Sequence, residues 1–113
     1  MKLVELTPKN KEAFMECLED PERPVIILFY AEWCPHCQMM KPEWEKATEA
    51  LKMKRNIRTA QVEHANMKKL PAKYKKNVAG FPSIKKFKGG KLVSEFYGQR
   101  TADEILKWGT EWI

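Results

Sequence analysis

No run of 18 apolar residues occurs in the 113-residue chain, so the sequence offers no segment to span a membrane. Its opening, "MKLVELTPKN", lacks a long apolar stretch and a small-residue cleavage site, and does not read as a signal peptide. The expectation is that the protein works where it is made, or that a signal lies outside this sequence. Cysteine is scarce and odd in number, at three, which excludes a disulfide-stapled scaffold and suggests a pair plus a spare. Internal repeats, low-complexity tracts and interdomain linkers are absent, and the Pro-containing "DPERP" is a loop between elements. The length suits one domain, residues 1–113, with a real core, and is too short for two.

What is present supports folding. Apolar residues make up 43% and aromatic residues 11%, enough to fold unaided. The formal charge is +6, from 21 basic and 15 acidic residues, with lysines clustered in "LKMKRNIR", "MKKLPAKYKK" and "SIKKFKGGK". No nucleic-acid motif accompanies that charge, so the lysines read as solvated helix and strand exteriors, and no specific nucleic-acid partner is expected.

The elements follow from patterning. "LVEL" (3–6) is a short strand, after which Thr7 is expected to cap a helix with Pro8 at its first position. Phe14, Cys17 and Leu18 share one face of that helix, which makes Cys17 a small core residue. "VIILFY" (25–30) is apolar on both faces, as a covered central strand requires. It runs into a helix reaching about residue 52, with Pro42 inside it as an expected kink. "IRTAQVE" is a further strand, followed by a lysine-rich helix expected over 66–76. "SIKKF" and "KLVSEFY" flank a glycine turn as a hairpin, with Gly98 ending the second strand. "TADE" is a capping box at Thr101 and Glu104, opening a last helix with Ile105, Trp108 and Trp112 as its apolar stripe. The order βαβαβ-α-ββα predicts an α/β fold: a central mixed sheet with helices on both faces.

Within this frame stands "WCPHC" (33–37). Cys34 and Cys37, three apart in a first helical turn, face the same side and could close a small disulfide ring. Free N–H groups and the helix dipole favour a thiolate at Cys34, while Cys37 lies deeper and is less ionised. Trp33 offers a flat apolar contact. Zinc would need four convergent ligands, and His36 and His64 supply no second pair at matched spacing, so no metal is expected. C-x-x-C within a βαβ pattern points to redox chemistry.

"FYAEWCPHCQMMKPEW" resembles the active-site segment of thioredoxins and of protein disulfide isomerase catalytic domains. "AGFPSIKKFKGGK" is similar to the family's cis-proline loop and hairpin, and "FYGQRTADEILKW" to the closing segment of disulfide isomerase domains. The resemblance covers roughly residues 3–112 and implies a thioredoxin fold and a thiol–disulfide oxidoreductase. It makes Cys34 the nucleophile and Cys37 the resolving cysteine of a redox-active disulfide. Pro82 would be a cis-proline, the Phe81 backbone would pair with substrate, and Trp33, Phe81 and Gly98 would line the groove. Arg100 would approach Cys37 and lower its pKa. Cysteine-containing protein substrates, and a redox partner enzyme or glutathione, are the implied partners; no cofactor is implied, and a monomer is expected.

Three departures matter. Thioredoxins usually carry Gly-Pro between the cysteines and disulfide isomerases Gly-His, whereas Pro35-His36 is the pair of the bacterial periplasmic disulfide oxidase. By charge and hydrogen bonding, His36 stabilises the Cys34 thiolate, and a better leaving thiolate makes the disulfide easier to give away. The expected activity is therefore disulfide formation or isomerisation with an oxidising bias. A thioredoxin-like reductase, or a peptide-binding module without turnover, are the alternatives. Leu28 stands where both families hold a buried acid that moves a proton for the resolving cysteine, and Gln61 replaces its usual lysine companion. Lys86 is a charge at a strand position that is usually apolar, expected to snorkel to the sheet edge. The compartment stays open: an oxidising lumen suits a disulfide donor, no retention tail is visible, and similar single-domain proteins occur in large eukaryotic DNA viruses.

Overall fold

Strand β2 (Val25–Tyr30) buries all six of its residues, and the other elements are arranged around it. The computed structural model of the chain describes residues 3–76 and 78–111. In chain order it holds β1 (Val4–Glu5), α1 (Lys11–Glu19), β2, α2 (Pro35–Leu51) and β3 (Arg58–Glu63). A 3₁₀ segment (His64–Lys69), the one-turn α3 (Ala72–Lys75), β4 (Ser83–Lys88), β5 (Lys91–Glu95) and α4 (Ala102–Gly109) follow. The sheet order is β1-β3-β2-β4-β5, with β1, β3 and β2 parallel and β4 antiparallel to both β2 and β5. This is the expected mixed sheet of an α/β thioredoxin fold.

Alternation along β2 builds two cores at once. Ile26, Leu28 and Tyr30 pack on one face with Trp44 of α2 and Ile105 and Trp108 of α4. Val25, Ile27 and Phe29 pack on the other with Phe14, Cys17 and Leu18 of α1 and Tyr74 of α3. Each fully buried aliphatic or aromatic side chain contributes about 1.5–3 kcal/mol relative to exposure. Cys17 is a core residue, and its sulfur accepts from Arg58 Nη1 at 3.4 Å while Arg58 Nε donates to Asp20 at 2.9 Å. Among the described residues, no helix is long and apolar enough to cross a membrane.

Several local expectations are corrected. Helix α1 begins at Lys11, with Asn10 rather than Thr7 at its N-cap. The Asn10 side chain accepts from the Thr7 N–H at 2.8 Å and donates to the Glu5 carbonyl at 2.7 Å, so residues 7–10 form a turn instead of a first helical turn. The helix expected over 66–76 is two pieces, because Pro71 holds Leu70 extended (φ −92°, ψ 146°) and separates the 3₁₀ segment from α3. Strand β5 stops at Glu95, not at Gly98; its register with β4 shifts at Lys86/Phe87, and the Phe96 N–H to Ile84 carbonyl bond (2.9 Å) is a last cross-strand contact. Gly89 (φ 59°) and Gly90 (φ 79°) make the hairpin turn, a conformation that side chains with a Cβ resist. Helix α2 continues through Pro42 over 17 residues. In α4 the Thr101 hydroxyl accepts the Glu104 N–H at 3.3 Å, and Ile105 and Trp108 are buried; Trp112 lies outside the described residues.

Lys86 does not snorkel. It is 2% exposed, its ammonium donates to the Trp108 carbonyl at 2.8 Å and lies 4.6 Å above the Trp108 ring, so a buried cation caps the last turn of α4. Burial pulls its pKa below the usual 10.5, against a smaller upward pull from Glu111. A depressed lysine pKa means that the folded state resists carrying the proton, so this group's penalty is full below the folded pKa and disappears as pH rises toward 10.5. Lys86→Met removes that dependence. The stability difference, variant minus native, should therefore fall as pH rises from 7 toward 10.5, measured by urea unfolding at each pH; a constant difference would contradict it.

Candidate active site

The central strand β2 ends at Tyr30, and after residues 31–34 the chain enters α2 at Pro35. Cys34 is the N-cap of that helix (φ −87°, ψ 114°), and Pro35 fills its first position, where no N–H is needed. The Cys34 N–H donates to the Ala31 carbonyl at 3.1 Å, and Gln38 Nε2 donates to the Glu32 carbonyl at 2.9 Å, which fixes the entry loop. The Cys34 sulfur accepts the Cys37 N–H at 3.2 Å and lies 3.6 Å from the Phe81 carbonyl, to which its thiol donates. Both cysteines are free thiols and nearly buried, at 4% and 3% exposure.

The two sulfurs are inequivalent. Burial, followed by the hydrogen bond with Cys34, pushes the Cys37 thiol up to about 11. The Ala31 backbone and the positive charge of Arg100 pull in the opposite direction without overcoming it. Arg100 thus bears on Cys37 electrostatically while itself exposed. It lines a hollow of about 200 Å³ together with His36, Met39 and Met40. His36 is exposed; the hydrogen bonds of the Cys34 sulfur run to Cys37 and Phe81.

The Phe81–Pro82 peptide bond is cis. A groove of about 430 Å³ beside it is lined by Phe81, Pro82, Glu95, Tyr97, Gly98 and Arg100, among others. At Gly98 an added Cβ would come within 3.2 Å of the Phe96 ring, so the groove wall is tight there. Trp33 is 68% exposed and meets Phe81 edge-on at 6.0 Å. His64 completes the cluster, 5.9 Å from Trp33 and 5.3 Å from Phe81. Its place at the close of β3 is visible in the sequence, but its aromatic neighbours come from two other segments.

Leu28 is 2% exposed in the same apolar cluster as both cysteines. Gln61, its neighbour in register on β3, accepts from Trp44 Nε1 at 2.9 Å and donates to Glu5 at 2.6 Å. The Tyr30 hydroxyl donates to the same Glu5 carboxylate at 2.9 and 3.0 Å. Burial and that carboxylate raise the Tyr30 phenol well above its ordinary value. Glu5 pairs with Gln61 across β1 and β3, so the acid of this layer sits two strands away from Leu28, roughly 10 Å at ordinary strand spacing. Among the described residues, His, Cys, Asp and Glu nowhere gather in threes that could hold a metal ion.

The thioredoxin family profile matches residues 5–111. The chain belongs to the thioredoxin family. Among its thioredoxin-family relatives, a probable protein disulfide-isomerase A6 of Medicago sativa is 34% identical over 110 residues, covering 96% of this chain and 29% of that protein. A protein disulfide-isomerase of Hordeum vulgare is 40% identical over 86 residues, covering 74% of this chain and 17% of that one. The first thioredoxin domain of mouse protein disulfide-isomerase A4 superposes with a TM-score of 0.72 at 30% identity, covering 96% of this chain and 77% of that domain's chain. This thioredoxin-family chain therefore spans less than a third of the length of those curated relatives.

The raised Cys37 thiol gives a direct test. In a Cys34→Ser chain, Cys37 alkylation by iodoacetamide should climb about tenfold per pH unit from pH 7 toward 10, as thiolate fraction dictates. A plateau near the free-thiol value of about 8.5 would show that burial does not hold the proton. Adding Arg100→Ala should slow alkylation further at every pH, because it removes the charge that favours the Cys37 thiolate.

Proposed function

We propose that the chain is a thiol–disulfide oxidoreductase, folded as one domain over 1–113, that forms or isomerises disulfides in cysteine-containing proteins with an oxidising bias. The observation that carries this is the placement of the Cys34 sulfur. It caps α2, accepts the Cys37 N–H at 3.2 Å, and lies against the carbonyl of Phe81, next to the cis bond to Pro82. The disulfide-isomerase names of relatives that match most of the chain support the same reading.

In the oxidising direction, a substrate thiolate attacks Cys34 of the Cys34–Cys37 disulfide and Cys37 leaves as a thiolate, which takes up a proton. A second substrate thiolate then attacks the substrate's own sulfur in the mixed disulfide, and Cys34 leaves as a thiolate. Two substrate thiols become one disulfide, and the enzyme pair is reduced to two thiols. Glutathione disulfide or a partner enzyme accepts those electrons. Isomerisation starts instead from the reduced pair, with Cys34 attacking a substrate disulfide and leaving when the substrate has rearranged.

Within this scheme Cys34 is the nucleophile, Cys37 the resolving residue and His36 a stabiliser of the Cys34 thiolate. Arg100 moderates Cys37, and Trp33, Phe81, Pro82 and Gly98 hold substrate. A reduction potential measured against glutathione tests the bias. A value above about −200 mV is expected, whereas one near about −270 mV would identify a reductant instead.

Leu28 bears on the resolving step. The neutral cluster around it has no carboxylate where the family keeps one, so deprotonation of Cys37 is slow and mixed disulfides persist. Leu28→Glu should speed release of a trapped mixed disulfide severalfold at pH 7, followed by acid-quenched mass spectrometry, at the cost of a lower melting temperature. Unchanged release in a folded variant would sink the idea.

A further inference from the structure

Residues 64–94 hold nine lysines and no aspartate or glutamate, although the chain has 15 acidic residues elsewhere. Folding divides these lysines: Lys85 and Lys86 are buried in β4, while Lys68 and Lys75 stand at one groove. The 3₁₀ segment, α3 and the loop before Pro82 enclose an open groove of about 620 Å³. Its floor is apolar, with Ala65, Met67, Val78 and Phe81, and His64, Lys68 and Lys75 also line it. Phe81 belongs both to this floor and to the reactive centre, since its carbonyl lies 3.6 Å from the Cys34 sulfur. The His64 ring bridges the groove to Trp33. A polypeptide whose cysteine reaches Cys34 therefore has a path along Phe81 and His64 into the groove.

The charges there are available. The Lys75 ammonium donates to the Met67 carbonyl at 3.2 Å, which holds it at the groove with further N–H donors to spare. Lys68 is exposed. The neighbouring carboxylate, Glu63, is turned to the backbone, accepting from Ala65 N–H at 2.7 Å and from Glu32 N–H at 3.1 Å. Glu32, whose N–H meets Glu63, is exposed in the loop before Trp33. The basic surface continues past the groove, because Lys73 lies over the Tyr74 ring at 4.9 Å and beside the Gly90 turn between Lys88 and Lys91.

We propose that this groove is a substrate-selecting surface: it takes polypeptide segments that carry an apolar residue flanked by aspartate or glutamate close to the reactive cysteine. The inference rests on the oxidoreductase reading and names its substrate class. An apolar floor rewards one buried side chain, and the lysine rim favours acidic neighbours and penalises basic ones by like-charge juxtaposition. Because the rim is solvent-exposed, the preference weakens as salt rises.

The test uses the full chain and two fluorescein-labelled peptides with serine in place of cysteine, identical except that aspartates flanking a leucine in one are lysines in the other. Fluorescence anisotropy at low ionic strength should give about tenfold tighter binding of the acidic peptide, with the difference shrinking at 0.5 M NaCl. The double variant Lys68→Glu/Lys75→Glu should abolish or invert the preference. Equal binding of the two peptides, or a preference that survives charge reversal, overturns the proposal. So does a single-stranded oligonucleotide that displaces the acidic peptide at lower concentration than the peptide's own unlabelled form. Oxidation of dithiothreitol by the oxidised chain is measured alongside. Selective docking without that oxidation leaves the surface standing and removes the redox reading, while oxidation with unselective docking does the reverse.

Discussion

Two-sided burial of β2 is the constraint on which the rest of the structure depends. A strand with no face left for water needs a helical layer above and below, and α2 with α4 supplies one while α1 with α3 supplies the other. The parallel pairing of β2 with β3 requires α2 as the crossover between them. The N-terminus of that crossover helix must then stand at the end of the strand. The cysteines sit at that junction, so the same apolar packing that stabilises the fold also desolvates Cys37 and keeps its proton on.

Three buried polar side chains at this protein's centre, Lys86, Lys85 and Gln61, each find a specific partner, whereas the Thr59 and Tyr74 hydroxyls have none among the described residues. Lys86 finds the carbonyl at the end of α4, where the helix dipole presents its negative end. Lys85, also buried, pairs with Glu95 across the hairpin. Gln61 binds Trp44 on one side and Glu5 on the other, which ties α2, β3 and β1 into one layer. Each arrangement spends side-chain freedom to hold a specific register, which apolar residues alone would leave looser.

Much of this was legible beforehand where the signal is local. The spacing of Phe14, Cys17 and Leu18, the apolar run of β2, the glycine turn and the Thr101 cap are all short-range patterns with one physical meaning. Over 66–76 lysine's helix propensity points to one helix, and the restriction that Pro71 places on Leu70 outweighs it. Glu5 was invisible as a neighbour of the active-site layer because its partners Tyr30 and Gln61 lie 25 and 56 residues away. The fate of Lys86 depended on a carbonyl 22 residues later, which no pattern around position 86 encodes.

The two edges of the sheet have a consequence of their own. Among the described residues, β1 presents Val4 and Glu5 on one side, and on the other β5 is five residues long, pairs through a shifted register and starts with a lysine. Among the described residues, neither margin offers a long flat row of free backbone groups on which another chain could lay down a strand. A sheet with such margins stops at the strands it has instead of seeding a larger one.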